Sequence, residues 1–301
     1  MAKEEHKVRQ PPWHDFLAGN VGGMAQVLVG QPLDTIKVRL QTDSVGRFNG
    51  AWDCCVKTVK NEGFLALYKG MLSPLIGIGA VNALLFAANS EFRQLLQRGD
   101  PTRVLSIPEI AIAGAGAGIV NSVLASPVEM LKIKMQSQFG KSGDGKTPYY
   151  RGPFDCANQL IKAHGFSNGL MRGLWATIVR EIPAYAGFYS AFELVKRGLT
   201  PVGGDPNKLE TWKLMTAGAA GGLGYWTMCY PFDVVKSVVQ NQVEPPRGFY
   251  VIRTLKELKN KFGYKAWFNG YTPTMIRSVP AAAATFTAYE LTMRALHDNT
   301  L

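Results

Sequence analysis

The sequence is short of charge. Of its 301 residues, 18% are charged and 47% are hydrophobic, where a soluble domain carries about a quarter charged. So much apolar surface excludes intrinsic disorder. There are four cysteines, two of them the adjacent Cys54 and Cys55, so no disulfide framework is expected. There are four histidines: His6, His14, His164 and His297. They stand near the termini or in a polar segment, with no nucleophile set against them. No Cys/His spacing suggests a metal, and no cofactor is expected. Glycine-rich stretches such as Gly114 to Gly118 are not followed by the GK[ST] of a phosphate loop. An enzyme is therefore the weakest reading. Met1 to Pro12 is polar and charged, without the apolar core of a secretory signal, and Glu4 and Glu5 make a poor transit peptide.

Acidic residues are also scarce against basic ones, 22 to 33, for a formal net charge of +11. An anionic solute, an anionic lipid surface or nucleic acid would each match this excess. The basic residues are spread along the chain and not gathered in one recognition element, so nucleic acid is disfavoured.

What the chain does have is an ungapped threefold repeat. Gly19-x-x-x-Gly23 is followed by Pro32, Asp34, Lys37 and Gln41. At the same spacings Gly114-x-x-x-Gly118 leads to Pro127, Glu129, Lys132 and Gln136, and Gly218-x-x-x-Gly222 leads to Pro231, Asp233, Lys236 and Gln240. Each copy opens with an uncharged run that ends at the acid: residues 16 to 33, 110 to 128 and 214 to 232. These lengths suit membrane helices, which need about 20 apolar residues, and GxxxG lets such helices approach closely. A second span closes each copy, beginning with the uncharged run from Gly70 to Ser90. Amphipathic stretches such as Trp52 to Tyr68 lie between, with Trp52, Val56, Val59 and Gly63 on one expected face. The expected fold is an all-α membrane protein: six transmembrane helices in three pseudo-threefold repeats (about 14–98, 108–198 and 210–297), with short surface helices between them, in one transmembrane domain.

PLDTIKVR, PVEMLKIK and PFDVVKSV, with Glu62-Gly63 and Tyr68-Lys69-Gly70 downstream, resemble the signature of the mitochondrial carrier family over essentially the whole chain. The second basic residue becomes Val238 in the third copy, and the acid of Glu62-Gly63 becomes His164 and Phe262 in the later copies. The resemblance implies a multi-pass protein of the mitochondrial inner membrane, working as a monomer with cardiolipin as lipid partner. It implies that Pro32, Pro127 and Pro231 kink the odd helices. It also implies a matrix gate of Asp34 with Lys132, Glu129 with Lys236 and Asp233 with Lys37, braced by Gln41, Gln136 and Gln240. The cytoplasmic gate is thinner. Glu91 is placed to pair with Lys196, Glu290 at best to meet Gln94, and Glu193 faces Met293 with no ionic partner.

Arg180, Glu181 and Arg277 lie inside the even-numbered spans, seven or eight residues beyond Gly173 and Gly270. Ionisable residues at such depth are functional by default. The equivalent position in the first copy is Gly77, followed by Ile78; Val81, Ala184 and Ala281 stand one turn on. Two guanidiniums, one carboxylate and a small apolar wall suit a solute carrying a carboxylate and an ammonium. The expected function is exchange of an amino acid by alternating access, with acylcarnitine exchange as the alternative. A proton-leak or regulatory protein on the same scaffold is the reading from another class; it would need the gates but not Arg180 and Glu181.

Overall fold

The computed structural model describes residues 12–43, 46–100, 103–139, 149–201, 209–246, 248 and 250–298. His6 and the side chain of His297 lie outside the described residues. Six long helices carry the structure: α1 (Pro12–Thr42), α3 (Leu72–Gln97), α4 (Ile107–Ser137), α6 (Leu174–Gly198), α7 (Thr211–Asn241) and α9 (Tyr271–Asp298). Three shorter helices, α2 (Ala51–Glu62), α5 (Pro153–Gly165) and α8 (Tyr250–Phe262), sit between them, one per repeat, and there is no strand among the described residues.

The helices pack as a ring. α3 lies on α4, α4 on α6, α6 on α7 and α9 on α1, while α1–α3 and α7–α9 touch more lightly. α1, α4 and α7 also meet one another. Glycine makes several of these approaches possible. A Cβ on Gly114 would stand 2.8 Å from the Tyr185 carbonyl oxygen, and one on Gly187 2.7 Å from that of Gly224, so the α4–α6 and α6–α7 contacts are backbone to backbone.

Each odd helix runs through its proline and continues past the acid that ends the uncharged run, to Thr42, Ser137 and Asn241. Two stretches, 64–97 and 107–137, are long and apolar enough to cross a membrane on hydropathy and charge together. The other four long helices are diluted by glycine and polar amides or interrupted by charges such as Asp34, Arg180, Asp233 and Arg277, which the structure pairs.

Trp52, Val56 and Val59 share a face of the first surface helix, and it points outward, with Trp52 81% exposed, while Cys54 and Thr58 are buried. Cys156 in α5 is buried at the equivalent place. An outward apolar face is what a short helix lying at a bilayer surface presents. The stretch also breaks at Gly63, whose φ of 90° suits glycine, and turns into a 3-10 segment, Phe64–Tyr68.

Candidate functional site

The acid and base of each signature stand three residues apart, on one face of an odd helix. Where α1, α4 and α7 converge, each acid meets the base of another helix. Lys132 Nζ lies 2.5 Å from Asp34 Oδ2, Lys236 Nζ 2.8 Å from Glu129 Oε1, and Lys37 Nζ 2.7 Å from Asp233 Oδ2. All three expected pairs form, and they close this end of the bundle.

The glutamines depart from threefold symmetry. Gln41 Nε2 donates to Asp233 Oδ2 over 3.0 Å, bracing the Lys37 pair as expected. Gln136 instead donates to Thr35 Oγ1 over 3.1 Å, and the buried amide of Gln240 has no hydrogen-bond partner among the described residues. Each packs closely against the glycine opening an even helix. A Cβ on Gly70 would meet Gln136 Cγ at 3.2 Å, and one on Gly173 would meet Gln240 Cγ at 2.8 Å. Those contacts hold both side chains away from the ion pairs.

The residue before each proline sets a second threefold pattern. Gln31 Nε2 donates to the Lys69 carbonyl over 2.8 Å, and the Tyr230 hydroxyl donates to the Asn269 carbonyl over 3.0 Å. Each ties an odd helix to the start of the even helix in its own repeat. In the second repeat the residue is Ser126, whose buried hydroxyl has no hydrogen-bond partner among the described residues.

Arg180 and Arg277 reach the ring from α6 and α9. Arg180 Nη2 lies 3.1 Å from Glu129 Oε1 and also pairs with Glu181 Oε1; Nη1 donates to the Tyr225 hydroxyl over 2.5 Å and lies 3.9 Å from Asp233 Oδ1. Arg277 Nε lies 3.0 Å from Asp34 Oδ1, off the line of a hydrogen bond. Asp34 therefore answers both Lys132 and Arg277, whereas Arg180 has three carboxylates, those of Glu129, Glu181 and, further off, Asp233. Glu129 Oε2 and Glu181 Oε2 are buried without a donor. Two aromatic residues that sequence reasoning passed over complete the site. Tyr225 holds Arg180, and the Trp226 ring carries Lys37 at 4.2 Å and Arg277 at 5.8 Å. Their only signal in the sequence is their place one to two turns before Pro231.

The expected apolar wall is mostly packing. A Cβ on Gly77 would strike Val128 Cγ2 at 2.8 Å, and Ile78 lies against Gly23, so these two serve α3–α4 and α3–α1 contacts. Ala184 and Ala281 are buried, Ala184 completely, and line no open space. Gly77, Ile78 and Val81 are part-exposed.

The opposite end corrects two expectations. Glu193 has an ionic partner after all, Arg197 on its own helix at 2.8 Å, and Glu290 pairs with Arg294 at 3.0 Å and not with Gln94, which donates to Ser90 over 3.4 Å. Partners one turn away on the same helix win because they need no long side chain to be ordered across the bundle. Lys196 and Gln94 line a cleft at this end together with Glu193, while Glu91 is exposed.

Outside the ring, a second set of contacts joins successive repeats. Arg39 donates to the carbonyls of Gln136 (3.1 Å) and Gln138 (2.8 Å) at the end of α4, and to Thr58 and Glu62 at the end of α2. Burial works to raise the Glu62 carboxyl, but hydrogen bonds from Arg39 and Lys69 overcome it and hold the group below the usual carboxylate range. Lys134 donates to the carbonyls of Asn241 (2.9 Å) and Gln242 (2.7 Å) at the end of α7, joined by Arg172 on Gln242 (2.6 Å) and Val243 (3.0 Å). The third position is Val238, which has no charge to offer the end of α1.

A ring of six helices in three repeats, with charged side chains facing inward at mid-depth and an ion-pair ring at one end, defines a membrane carrier. Comparison with known proteins places it further: the family model for mitochondrial carrier protein matches residues 8–100, 103–202 and 207–300. The chain is 39% identical over 297 residues to a mitochondrial carnitine/acylcarnitine carrier-like protein of Arabidopsis thaliana, spanning 94% of this chain and 98% of that one. It is 41% identical to the mitochondrial glycine transporter YMC1 of Saccharomyces cerevisiae (94% and 91%), and 36% identical to the mitochondrial basic amino acids transporter of Bos taurus (90% and 88%). The chain belongs to the mitochondrial carrier protein family, a family of transporters. It is a multi-pass protein of the mitochondrial inner membrane.

Proposed function

We propose that this carrier exchanges a small amino acid across the inner membrane by alternating access. The observation that carries the reading is the pair of donor-less carboxylate oxygens, Glu129 Oε2 and Glu181 Oε2, on either side of Arg180. A buried carboxylate oxygen without a donor is costly, and a primary ammonium supplies N–H groups to it. A trimethylammonium has no N–H and is held by aromatic faces instead; the nearby Trp226 ring already carries Lys37. This favours an amino acid over an acylcarnitine, although relatives bear names of both kinds.

The two arginines divide the work. Arg180, already answered by three carboxylates, positions Glu181. Arg277 shares Asp34 with Lys132 and is the under-compensated cation, so it takes the solute's carboxylate, which suits a guanidinium fork. Taking that carboxylate draws Arg277 away from Asp34, and placing an ammonium at Glu129 competes with Lys236 for the same acid. Solute binding thus loosens the Glu129–Lys236 pair and the Arg277–Asp34 contact beside the ring, and offsets the cost of opening the matrix end. An empty cavity has no such compensation, so exchange is expected over net flux, and the protein works as a monomer.

Cardiolipin is the proposed lipid partner. A groove of about 440 Å³ runs between the starts of α2 and α9, lined by Gly50, Ala51, Lys265 and residues 268 to 273. Free backbone N–H groups at helix starts bind phosphate.

The test is exchange in cardiolipin-containing liposomes preloaded with a mixed amino-acid pool and offered labelled glycine, glutamate, ornithine, arginine and carnitine separately. Uptake of an amino acid and not of carnitine is expected, abolished by Glu181→Gln. Carnitine exchange without amino-acid exchange would overturn the reading. Leak conductance that survives both Arg180→Ala and Glu181→Gln, with no exchange, would favour a proton-leak protein.

A further inference from the structure

At the end of the bundle away from the ion-pair ring, a cleft of about 850 Å³ opens between the C-terminal turns of α3 and α6, above the start of α4. Four cations line it, Arg93, Arg103, Lys196 and Arg197, against two acids, Asp100 and Glu193. The balance narrows when each charge is followed to its partner. Arg103 pairs with Glu109 and donates to the Leu96 carbonyl over 2.8 Å. Arg197 pairs with Glu193 and donates to the Leu105 carbonyl over 2.6 Å. Lys196 and Asp100 make contacts of their own. Arg93 has no carboxylate among the described residues, and its Nε is buried without a hydrogen-bond partner.

An arginine near a membrane-helix end ordinarily extends toward the lipid headgroups. Arg93 does not. Its guanidinium lies 5.6 Å above the ring of Tyr189 on α6, so it crosses from α3 into the cleft. Tyr189 is itself buried against Leu105 and Ile110, which fixes the platform. The cleft wall is fixed as well, because Ser106 and Glu109 cap the start of α4 reciprocally and Arg103 and Arg197 hold the chain leading into it. A guanidinium within cation–π reach of an aromatic ring, in a preformed cleft with an ammonium nearby and no acid of its own, is built to receive an oxyanion.

We propose that this cleft is a binding site for a phosphate-bearing anion, held by Arg93 at the mouth of the transport path. The site is separate from Arg180, Glu181 and Arg277. Phosphate suits it better than carboxylate because its oxygens diverge, as the lining cations do. The phosphate belongs either to a soluble anion or to a lipid headgroup. Either occupant stands beside Glu193 and Lys196 and narrows entry from this side.

Binding can be measured without transport. Purified full-length protein in a neutral detergent is unfolded thermally while inorganic phosphate or pyrophosphate is titrated, with sodium acetate and chloride at matched ionic strength. A parallel titration uses short-chain phosphatidylglycerol against phosphatidylcholine of the same chain length. The expected result is a saturable rise in the unfolding midpoint with a phosphate-bearing ligand, not matched by acetate or chloride. In Arg93→Gln the affinity falls at least tenfold, while exchange measured without the anion is unchanged; Arg93→Lys, which keeps charge but loses the fork, falls between. A response to inorganic phosphate or pyrophosphate assigns a soluble anion, and a response to phosphatidylglycerol alone assigns a headgroup. No saturable response to either, an equal response to acetate, or an equal response in Arg93→Gln would overturn the proposal. If Arg93→Gln does not fold, Gln97→Glu places a competing carboxylate in the same cleft and must abolish the response. This outcome is independent of which solute is exchanged, because it is read on the unfolding midpoint.

Discussion

Gly30 and Arg277 share one place in the bundle: a Cβ on Gly30 would stand 3.2 Å from both Cδ and Nη1 of Arg277. The arginine of α9 lies flat across α1 only because α1 has no side chain there, and from that position it reaches Asp34.

Gly30→Ala is therefore expected to displace Arg277 and weaken the solute's carboxylate contact. KM should rise about tenfold, equivalent to about 1.4 kcal/mol, with a smaller change in kcat. An amidated solute, which has no carboxylate to lose, should show no such rise. Initial exchange rates in liposomes over a range of solute concentrations would check both.

Tyr230→Phe removes the donor to the Asn269 carbonyl and the neighbour of Gln41. Losing a hydrogen bond of this kind costs about 0.5–1.5 kcal/mol, so the unfolding midpoint should fall. Ser126→Gln, in contrast, gives the second repeat the long amide that Gln31 provides in the first, and should raise it. Thermal unfolding of the two purified variants is the measurement.

Val238→Arg with Phe262→Glu would rebuild between the third and first repeats what Arg39 and Glu62 make between the first and second. The double variant is expected to unfold at higher temperature and to exchange about tenfold more slowly, in keeping with the 1.5–3 kcal/mol range of a hydrogen bond to a charged group. Val238→Arg alone buries an unanswered charge and should destabilise. An unchanged exchange rate in a stabilised double variant would show that this seam does not limit opening.

The Arg39–Glu62 link carries a pH signature. Hydrogen bonding from Arg39 and Lys69 lowers the Glu62 carboxyl despite its burial, so the unfolded chain binds the proton more tightly than the folded one. Its contribution to stability is full above the ordinary glutamate value of about 4.3 and is lost as pH falls through the lower folded value. Acid unfolding of wild type and Glu62→Gln should therefore converge as pH drops below about 4, the wild type being more stable above that.

The fold was legible because the repeat marks the spans and charge inside an apolar span must be paired. A threefold ring still allows two directions of pairing, and it was the family resemblance that matched Asp34, Glu129 and Asp233 to particular lysines. The contacts of Arg39, Lys134 and Arg172 were not legible, since they end on backbone carbonyls, and a carbonyl has no letter in the sequence. Tyr225 and Trp226 were missed because an aromatic residue in an uncharged run faces lipid as readily as the interior. Glu193 and Arg197 stood at helical spacing in plain view, yet the interhelical partner implied by the family pattern was given precedence. Gly77, Ala184 and Ala281 were read as a cavity wall on their smallness, but small residues in membrane helices serve close packing just as often.

Arg180 touches Glu129 and Glu181 at once, and so belongs to the lock and to the keyhole together. On the proposed function, a lineage acquiring a new solute by replacing Glu181 would leave Arg180 to the ring carboxylates Glu129 and Asp233 and tighten its hold there. Preference and turnover are consequently inherited as one trait, and a change of diet requires compensation elsewhere in the ring before it is useful. Of the two pairs that Arg180 reaches, Lys37 with Asp233 is the more distant, at 3.9 Å against 3.1 Å for Glu129, so compensation there meets less interference. Its brace comes from Gln41, outside the solute's reach.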